Sequence, residues 1–188
     1  GAVHNFTRQL TAARGKVTNS SSDALRFLIH FLGDIHQPLH VAMAPDRGGV
    51  KMNVVFDVPG QGSDWNLHNV WDFGMIVRAE GTEGHQDALV ASMLKQIKDG
   101  AFNATVWAAQ TDPREWVQEG LDVATSTAYR FSNGTQLPPY DSHKRYGPIN
   151  IPDAYCKSYM ATGGAVEVQL AKAGVRLATL LNAILDPA

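Results

Sequence analysis

Five histidine and aspartate side chains form a pattern that could hold metal ions. His30 and Asp34 are four residues apart, and His68 and Asp72 repeat that spacing further along the chain. On a helix, this spacing puts both side chains of a pair on one face, about one turn apart. His40 lies between the pairs, just after the first of these helices must end, so its ring can turn back toward them. We therefore expect all five side chains to face one cleft.

Imidazole nitrogens and carboxylate oxygens are ligands that suit Zn²⁺, and a catalytic zinc site keeps one position open for water. Zinc lowers the pKa of its bound water to about 7, and neighbouring ions can clamp a phosphoryl group. A single His-x-x-x-Asp pair is more often a charge pair or a packed histidine. Two such pairs flanking a third histidine, all within residues 30–72, reverse that expectation. The sequence therefore predicts metal-assisted hydrolysis.

The other histidines lack this pattern. His36 lies in the same segment, but its helical phase puts it off the face that His30 and Asp34 share. It is expected to be structural or to support the ligands. The three that remain have no neighbouring ligand pattern and are expected in solvent; they are His4, His85 and His143.

Some aromatic and charged residues near these pairs could serve either the fold or the substrate. Trp71 and Phe56 are expected in the core, whereas Trp65 could pack or stack on a nucleic acid base. Asp46 and Arg47 precede two glycines and are expected in a solvated turn. An arginine close to a metal cleft could instead hold a phosphate oxygen.

The elements that must position these residues are helices, because the apolar spacing is mainly helical. One all-α domain over residues 1–188 is predicted, with one short strand or hairpin arm near 52–56. Pro38 enforces the end of the helix that carries His30, and Asp112 with Pro113 marks another helix start. The predicted helices are 2–13, a second that is capped within 20–23 and ends before Pro38, about 65–78 with a cap at Ser63 or Asp64, 85–98, one from Pro113, and 165–185. Residues 132–152 are predicted to be a long surface loop.

Charge and composition bear on partners and compartment. The net charge of −2 and pI near 6.4 give no basic surface that would grip duplex DNA. No run approaches the roughly 20 apolar residues of a membrane span, so no transmembrane segment is expected. Four N-x-S/T sequons favour an extracytoplasmic, secreted or cell-surface protein. They begin at Asn5, Asn19, Asn103 and Asn133.

The single cysteine, Cys156, has two readings. A lone thiol is commonly a small buried apolar residue. In a secreted protein, an odd cysteine instead calls for a partner outside the chain. We favour the second reading, because the chain begins at Gly1 without a methionine and an upstream segment is expected to be missing.

Three stretches resemble one family. They are His30-Phe-Leu-Gly-Asp-Ile-His-Gln-Pro-Leu-His40, Gly48-Gly49 and Asn66-Leu-His-Asn-Val-Trp-Asp72. Together they resemble the zinc-dependent single-strand-specific nucleases, also called class I nucleases or 3'-nucleotidases, whose fold is shared with bacterial zinc phospholipase C. Residues 1–7 and 168–178 also look like family segments.

The resemblance implies a multi-helix phospholipase C/nuclease-like domain with three Zn²⁺ ions. It also implies cleavage between the 3'-oxygen and phosphorus of single-stranded nucleic acid and 3'-nucleotides. His30 and Asp34 match ligands of two paired zinc ions, with Asp34 the catalytic carboxylate that bridges them and helps to hold the attacking water. His40, His68 and Asp72 match the three protein ligands of the remaining zinc.

The chain departs from the family pattern. The family's N-terminal tryptophan, a nearby histidine and a further Asp and His have no match here. Only the zinc site of His40, His68 and Asp72 is therefore complete, and the missing N-terminal segment is an expected partner. Val50 stands where the family has an asparagine. By the family's pattern, Cys156 is expected to pair with a cysteine of the absent segment.

Two alternatives stay open. A zinc phospholipase C that acts on lipid headgroups shares the fold, although the segment ending at Asp72 and the sequons favour the nuclease. A non-catalytic metal-binding domain would keep the scaffold without its reaction centre. Release of nucleoside from a 3'-nucleotide, against release of phosphocholine from a lipid, would separate the nuclease from the phospholipase C. Intact-mass measurement of the natural protein would decide whether it is a non-catalytic domain.

Overall fold

The computed structural model describes residues 1–13, 16, 18–42, 44–58, 60, 62, 64–80, 86–143 and 147–185. Helices predominate there, which confirms the predicted mostly helical class. The α-helices are α1 (Ala2–Ala13), α2 (Asn19–Asp34), α3 (Leu67–Asn69), α4 (Met75–Glu80), α5 (Gln86–Lys98), α6 (Ala104–Ala109), α7 (Pro113–Val123), α8 (Asp153–Tyr159) and α9 (Ala165–Leu185). The strands are β1 (Asn53–Val55), β2 (Trp65–Asn66) and β3 (Ile149–Asn150).

Helix α2 begins earlier than predicted, because Thr18 is its N-cap. The Thr18 hydroxyl accepts from the backbone N–H of Ser21, and the Ser21 hydroxyl accepts from the backbone N–H of Thr18. This reciprocal capping box satisfies two of the free donors at the helix start. The helix ends at Asp34, and after a short turn Gln37 caps a 3₁₀-helix over Pro38–Val41. Pro38 thus ends one helix and opens the next.

The helix predicted over 65–78 differs in three ways. Trp65 and Asn66 form β2, and Asn66, not Ser63 or Asp64, caps the helix by accepting from the backbone N–H of Asn69 at 2.8 Å. Ser63 lies outside the described residues. A π-helical stretch, Val70–Gly74, separates α3 from α4. Such stretches are rare in proteins, and those that do occur often lie at functional sites.

A small sheet replaces the single predicted strand. Its order is β2-β1-β3, with β1 antiparallel to β2 and parallel to β3. Val54 is opposite Trp65 on one side and Ile149 on the other. β3 lies in the segment predicted to be a loop, whose residues 144–146 lie outside the described part of the chain.

The described residues form two apolar clusters. One packs the sheet against α3, α8 and two π-helical stretches, Val70–Gly74 and Ala124–Ala128, and includes Val54, Val70 and Tyr155. The other packs α1, α2, α7 and α9 together. Its buried members are Val3, Leu10, Ala24, Leu28, Leu32, Trp116 and Ile184. The 3₁₀-helix joins the two clusters, because it follows α2 and contributes Leu39 to the first.

Helix α9 is long and apolar enough to cross a membrane, and it is the one described helix that meets this test. It nevertheless packs against α1, α2, α5 and α6. It also carries Arg176, which is 2% exposed and paired with Glu119. These contacts tie the helix to the other described helices.

Cys156 lies in α8 and is buried. Burial raises the pKa of its thiol, and its Sγ lies 3.8 Å from the carbonyl oxygen of Met75. A disulfide to a segment outside the chain stays a prediction.

Candidate metal centre

The five predicted site residues come from four different elements. His30 and Asp34 lie in the last turns of α2, and His40 lies on the 3₁₀-helix that follows. His68 lies on α3, and Asp72 lies on the π-helical stretch. The structure brings all five together at the junction between the two apolar clusters.

His40, His68 and Asp72 are the tightest part of this group. His40 Nε2 lies 2.9 Å from Asp72 Oδ1, and His68 Nε2 lies 3.3 Å from Asp72 Oδ2. The two imidazole rings are nearly parallel, with centroids 4.8 Å apart. One ligand atom from each residue lies within 4.8 Å of the others. Two imidazole nitrogens and one carboxylate oxygen at this separation fit a zinc ion with one open position.

Asp34 links this trio to His30. Its Oδ2 lies 3.3 Å from His30 Nε2, and its Oδ1 lies 3.5 Å from His40 Nδ1. The His30 side chain is 69% exposed. Within the described part of the chain, His30 and Asp34 do not complete a second group of three donors.

The double glycine orients His68. The carbonyl oxygen of Gly48 lies 2.8 Å from His68 Nδ1, and a carbonyl can only accept, so Nδ1 carries the proton. Nε2 is then left with its lone pair toward Asp72 and any bound ion. Gly48 has φ +59°, and a Cβ there would lie 2.1 Å from the carbonyl oxygen of Leu39. Only glycine allows this close approach.

Gln37 orients Asp72. Its side-chain N–H donates to Asp72 Oδ1 at 2.6 Å, and its side-chain oxygen accepts from the backbone N–H of Leu39. One amide therefore both caps the 3₁₀-helix and supports a candidate ligand. Gln37 and Gly48 were not among the predicted site residues, although both lie within the segments that carry the resemblance.

Hydrogen bonds across the trio shift two pKa values in opposite directions. The hydrogen bond to Asp72 raises the pKa of His40, and this outweighs the effect of burial. Burial would raise the pKa of Asp72, but hydrogen bonds from His40 and Gln37 lower it overall. The Asp72 carboxyl is therefore ionised well into acid, and an ion that binds here competes with a proton on His40.

A cleft of about 1000 Å³ reaches two members of the trio, His40 and His68. Asp34, His40 and His68 line it, and most of its other walls are apolar. Arg47 is exposed, as predicted for a solvated turn, and both Arg47 and Arg114 line the cleft. This volume is in the range of pockets that hold small ligands.

Several predictions about other residues are settled by burial. Trp71 and Phe56 are in the core, as predicted. Trp65 is also buried, between Phe56 and Phe73, and its indole N–H donates to the carbonyl of Gly62, so it offers no face to a base.

Asp46 was predicted in a solvated turn, and that was wrong. It is 5% exposed and accepts from the backbone N–H of Gly49 and from the hydroxyl of Tyr129. His4 and His143 are exposed, as predicted, although His4 lies along the edge of the cleft. His85 lies outside the described residues.

His36 is buried away from the cleft, as its helical phase predicted. Its Nδ1 lies 2.8 Å from the carbonyl oxygen of Leu32, and its Nε2 lies 2.9 Å from Arg176. Burial lowers the pKa of His36 to about 4. The ring is therefore neutral at pH 7, and both nitrogens are occupied, so it cannot bind a metal ion here.

Comparison of the sequence with known proteins identifies one family. Residues 1–186 match the S1/P1 nuclease family. Endonuclease 2 of Arabidopsis thaliana is 33% identical over 98% of this chain and 60% of its own length. Nuclease P1 of Penicillium citrinum is 30% identical over 97% of this chain and 65% of its own length, so the chain spans about 60–65% of these relatives. The chain belongs to the S1/P1 nuclease family.

Proposed function

We propose that this protein is a zinc-dependent nuclease and 3'-nucleotidase, which hydrolyses single-stranded nucleic acid and 3'-nucleotides at the bond between the 3'-oxygen and phosphorus. The observation that carries the proposal is the convergence of His40, His68 and Asp72, whose ligand atoms lie within 4.8 Å of one another where His40 and His68 line a cleft of about 1000 Å³. Membership in a family whose relatives are named nucleases supports it.

In this proposal, His40 and His68 bind the metal through ring nitrogens, and Asp72 binds it through its carboxylate. A bound Zn²⁺ acts as a Lewis acid toward a phosphoryl oxygen and makes hydroxide available near neutral pH. The Gly48 carbonyl keeps the His68 proton on Nδ1, and Gln37 holds the Asp72 carboxylate. These two contacts fix the ligands before substrate arrives.

Asp34 is the proposed catalytic carboxylate. It lines the cleft, its side chain is partly exposed, and it lies between His30 and His40. A carboxylate in that place can orient an attacking water and accept its proton. We propose that His30 and Asp34 also contribute to binding a further pair of zinc ions, because both lie next to the trio and, among the described residues, do not complete a second group of three donors.

The cleft and the charge favour an unpaired substrate. The net charge of −2 gives no broad basic surface for a duplex, so phosphate binding must be local. Arg47 at the cleft edge can contact a phosphate oxygen, and the apolar walls can contact an unstacked base.

The sequons support an extracytoplasmic site of action. The asparagine of each sequon is exposed, so a glycan would not disturb the core. We propose that the protein is secreted or displayed at the cell surface. The asparagines are Asn5, Asn19, Asn103 and Asn133.

The proposal is tested on the full-length protein with an Asp72→Asn variant. We expect the unmodified protein to contain zinc by elemental analysis and to hydrolyse single-stranded DNA and 3'-AMP faster than duplex DNA and 5'-AMP. Asp72→Asn should lose zinc and at least about 10³-fold in kcat/KM, because a metal ligand is lost. Asp153→Asn, which removes only a surface partner of Arg78, is the control and should keep both.

Three outcomes would contradict the proposal in different ways. Release of phosphocholine from lipid without attack on nucleotides would indicate a phospholipase C. Zinc without any hydrolysis would indicate a metal-binding domain. Full activity in Asp72→Asn would exclude the assigned site.

A further inference from the structure

Asp46 is a buried carboxylate beside the metal centre that the proposed reaction does not use. It is 5% exposed, and its Oδ1 accepts two hydrogen bonds, each 3.1 Å long. One comes from the backbone N–H of Gly49 and the other from the hydroxyl of Tyr129, which is 83 residues further along the chain. A buried carboxylate with specific donors is costly to desolvate, so its position calls for an explanation.

The turn that Asp46 holds has an unusual backbone. Arg47, Gly48 and Gly49 have φ values of 56°, 59° and 83° in succession. Arg47 is the one residue other than glycine with a positive φ in the described part of the chain. A side chain other than glycine is strained in this region, so the surrounding structure must hold it there. The bond from Gly49 N–H to the Asp46 side chain encloses Arg47 and Gly48 and closes the turn.

This turn ends at the metal centre. The Gly48 carbonyl accepts from His68 Nδ1, and that contact fixes which His68 nitrogen faces the ion. A continuous path of hydrogen bonds and short backbone therefore runs from Tyr129 through Asp46 and the turn to His68.

We infer that Asp46 and Tyr129 are positioning residues for the metal centre: they hold the turn so that the Gly48 carbonyl keeps His68 Nε2 toward the ion. The inference rests on the proposed function, because it concerns the same zinc site.

Neither residue acts on substrate directly. Asp46 and Tyr129 line a separate cavity of about 340 Å³, and neither lines the main cleft. The two residues after Asp46, Arg47 and Gly48, do line the main cleft. Asp46 and Tyr129 thus hold the turn on the side of the smaller cavity, and Arg47 and Gly48 line the main cleft on the other side.

The first test compares two tyrosine variants of the full-length protein. Tyr129→Phe removes the bond to Asp46 and leaves the ring in the core. Tyr159→Phe is the matched control, because its hydroxyl donates to the backbone carbonyl of Arg130 at 3.0 Å and does not contact the turn. Both variants lose one partly or fully buried tyrosine hydrogen bond, so similar falls in Tm are expected.

Zinc affinity and the protonated nitrogen of His68 separate a positioning role from a merely structural one. We expect Tyr129→Phe to lower zinc affinity about 3- to 10-fold in chelator competition, and Tyr159→Phe to leave it unchanged. In the zinc-free protein, ¹H–¹⁵N NMR should show His68 protonated at Nδ1. A fraction protonated at Nε2 should appear only in Tyr129→Phe.

Two Asp46 variants provide a second test. Asp46→Asn keeps a side-chain oxygen that can accept both bonds and should retain most of the zinc affinity. Asp46→Ala removes both bonds and should lose more affinity than Tyr129→Phe. If Asp46→Ala does not fold, the tyrosine pair and Asp46→Asn still decide.

Equal effects of the two tyrosine variants on zinc affinity and on His68, or no effect of either, would overturn the inference. Failure of the proposed function is distinguishable from this. If the unmodified protein binds no zinc, the proposed function fails. The NMR comparison in zinc-free protein still tests whether Asp46 and Tyr129 control which His68 nitrogen is protonated.

Discussion

His36 and His40 are four residues apart in the sequence, yet His36 is buried and His40 lines the cleft. His36 is 4% exposed, and its two nitrogens face a carbonyl oxygen and the guanidinium of Arg176. The His40 side chain is 28% exposed to the cleft, and its two nitrogens face the carboxylates of Asp34 and Asp72. Residue type alone therefore does not make a histidine a candidate ligand. The groups opposite its nitrogens, and its access to solvent, decide.

The region around His36 is a closed charge cluster. Arg176 donates to His36, to Gln110 and to Glu119, and Lys172 pairs with Glu119 at 3.0 Å. Hydrogen bonds and opposite charge lower the pKa of Glu119 despite burial, so that its carboxylate stays ionised. These contacts tie α7 and α9 to the end of α2. The cluster therefore fixes the scaffold from which Asp34 and His40 project.

The largest expected effect comes from exchanging alanine for each histidine in turn. His40→Ala should abolish zinc binding at the trio and lower kcat/KM by at least about 10³-fold, because a ligand is lost. His36→Ala should leave zinc content unchanged but lower the free energy of unfolding by about 1–3 kcal/mol, because Arg176 loses a buried partner. Zinc analysis and urea unfolding check both. A loss of zinc in His36→Ala would contradict the assignment of His36 to the scaffold and of His40 to the metal site.

The pH dependence of stability should separate the two histidines further. The pKa of His36 is lowered from 6.5 to about 4 in the folded protein. Its contribution is therefore fully present above pH 6.5 and is lost as the pH falls toward 4, by up to about 3 kcal/mol. The pKa of His40 is raised, so its contribution is present below pH 6.5 and is lost as the pH rises through the raised value.

Urea unfolding of the metal-free protein between pH 4 and pH 7 measures the loss of stability that accompanies protonation of His36. His36→Gln is the control, because it removes the ionisable ring and should reduce the fall in the free energy of unfolding between pH 7 and pH 4. An unchanged fall in that variant would mean that other groups cause the loss of stability.

A smaller effect is expected at Gln37. Gln37→Leu removes the donor to Asp72 and should lower zinc affinity about 10-fold, as is typical of residues that orient metal ligands. Gln118→Leu is the matched control, since that glutamine donates to Asp122 on the exposed face of α7. Chelator competition measures both variants, and equal affinities would show that Asp72 needs no support from Gln37.

Much of this structure follows from local sequence signals. The bounds predicted for α1 and α9 are those observed, and α7 begins at Pro113 after the Asp112 cap. The convergence of the five site residues follows from two i, i+4 pairs and a proline. These signals act over a few residues, so a single sequence suffices to read them.

The features that sequence reasoning missed depend on distant partners. β2 and β3 are two residues each and exist only through pairing with β1. Short helices such as α6 and α8 were also missed. The burial of Asp46 requires Tyr129, which no local pattern associates with it. The orientation of His68 likewise depends on a carbonyl 20 residues away.

The π-helical stretch at Val70–Gly74 makes the number of residues in this segment part of the geometry of the candidate metal site. A π turn contains more residues than an α turn, and successive residues of an α-helix are rotated by about 100°. Deleting Val70 or Trp71 would shorten the spacing from His68 to Asp72 from four residues to three and rotate Asp72 away from His68. Insertions and deletions in this stretch are therefore constrained more tightly than the identity of its exposed side chains.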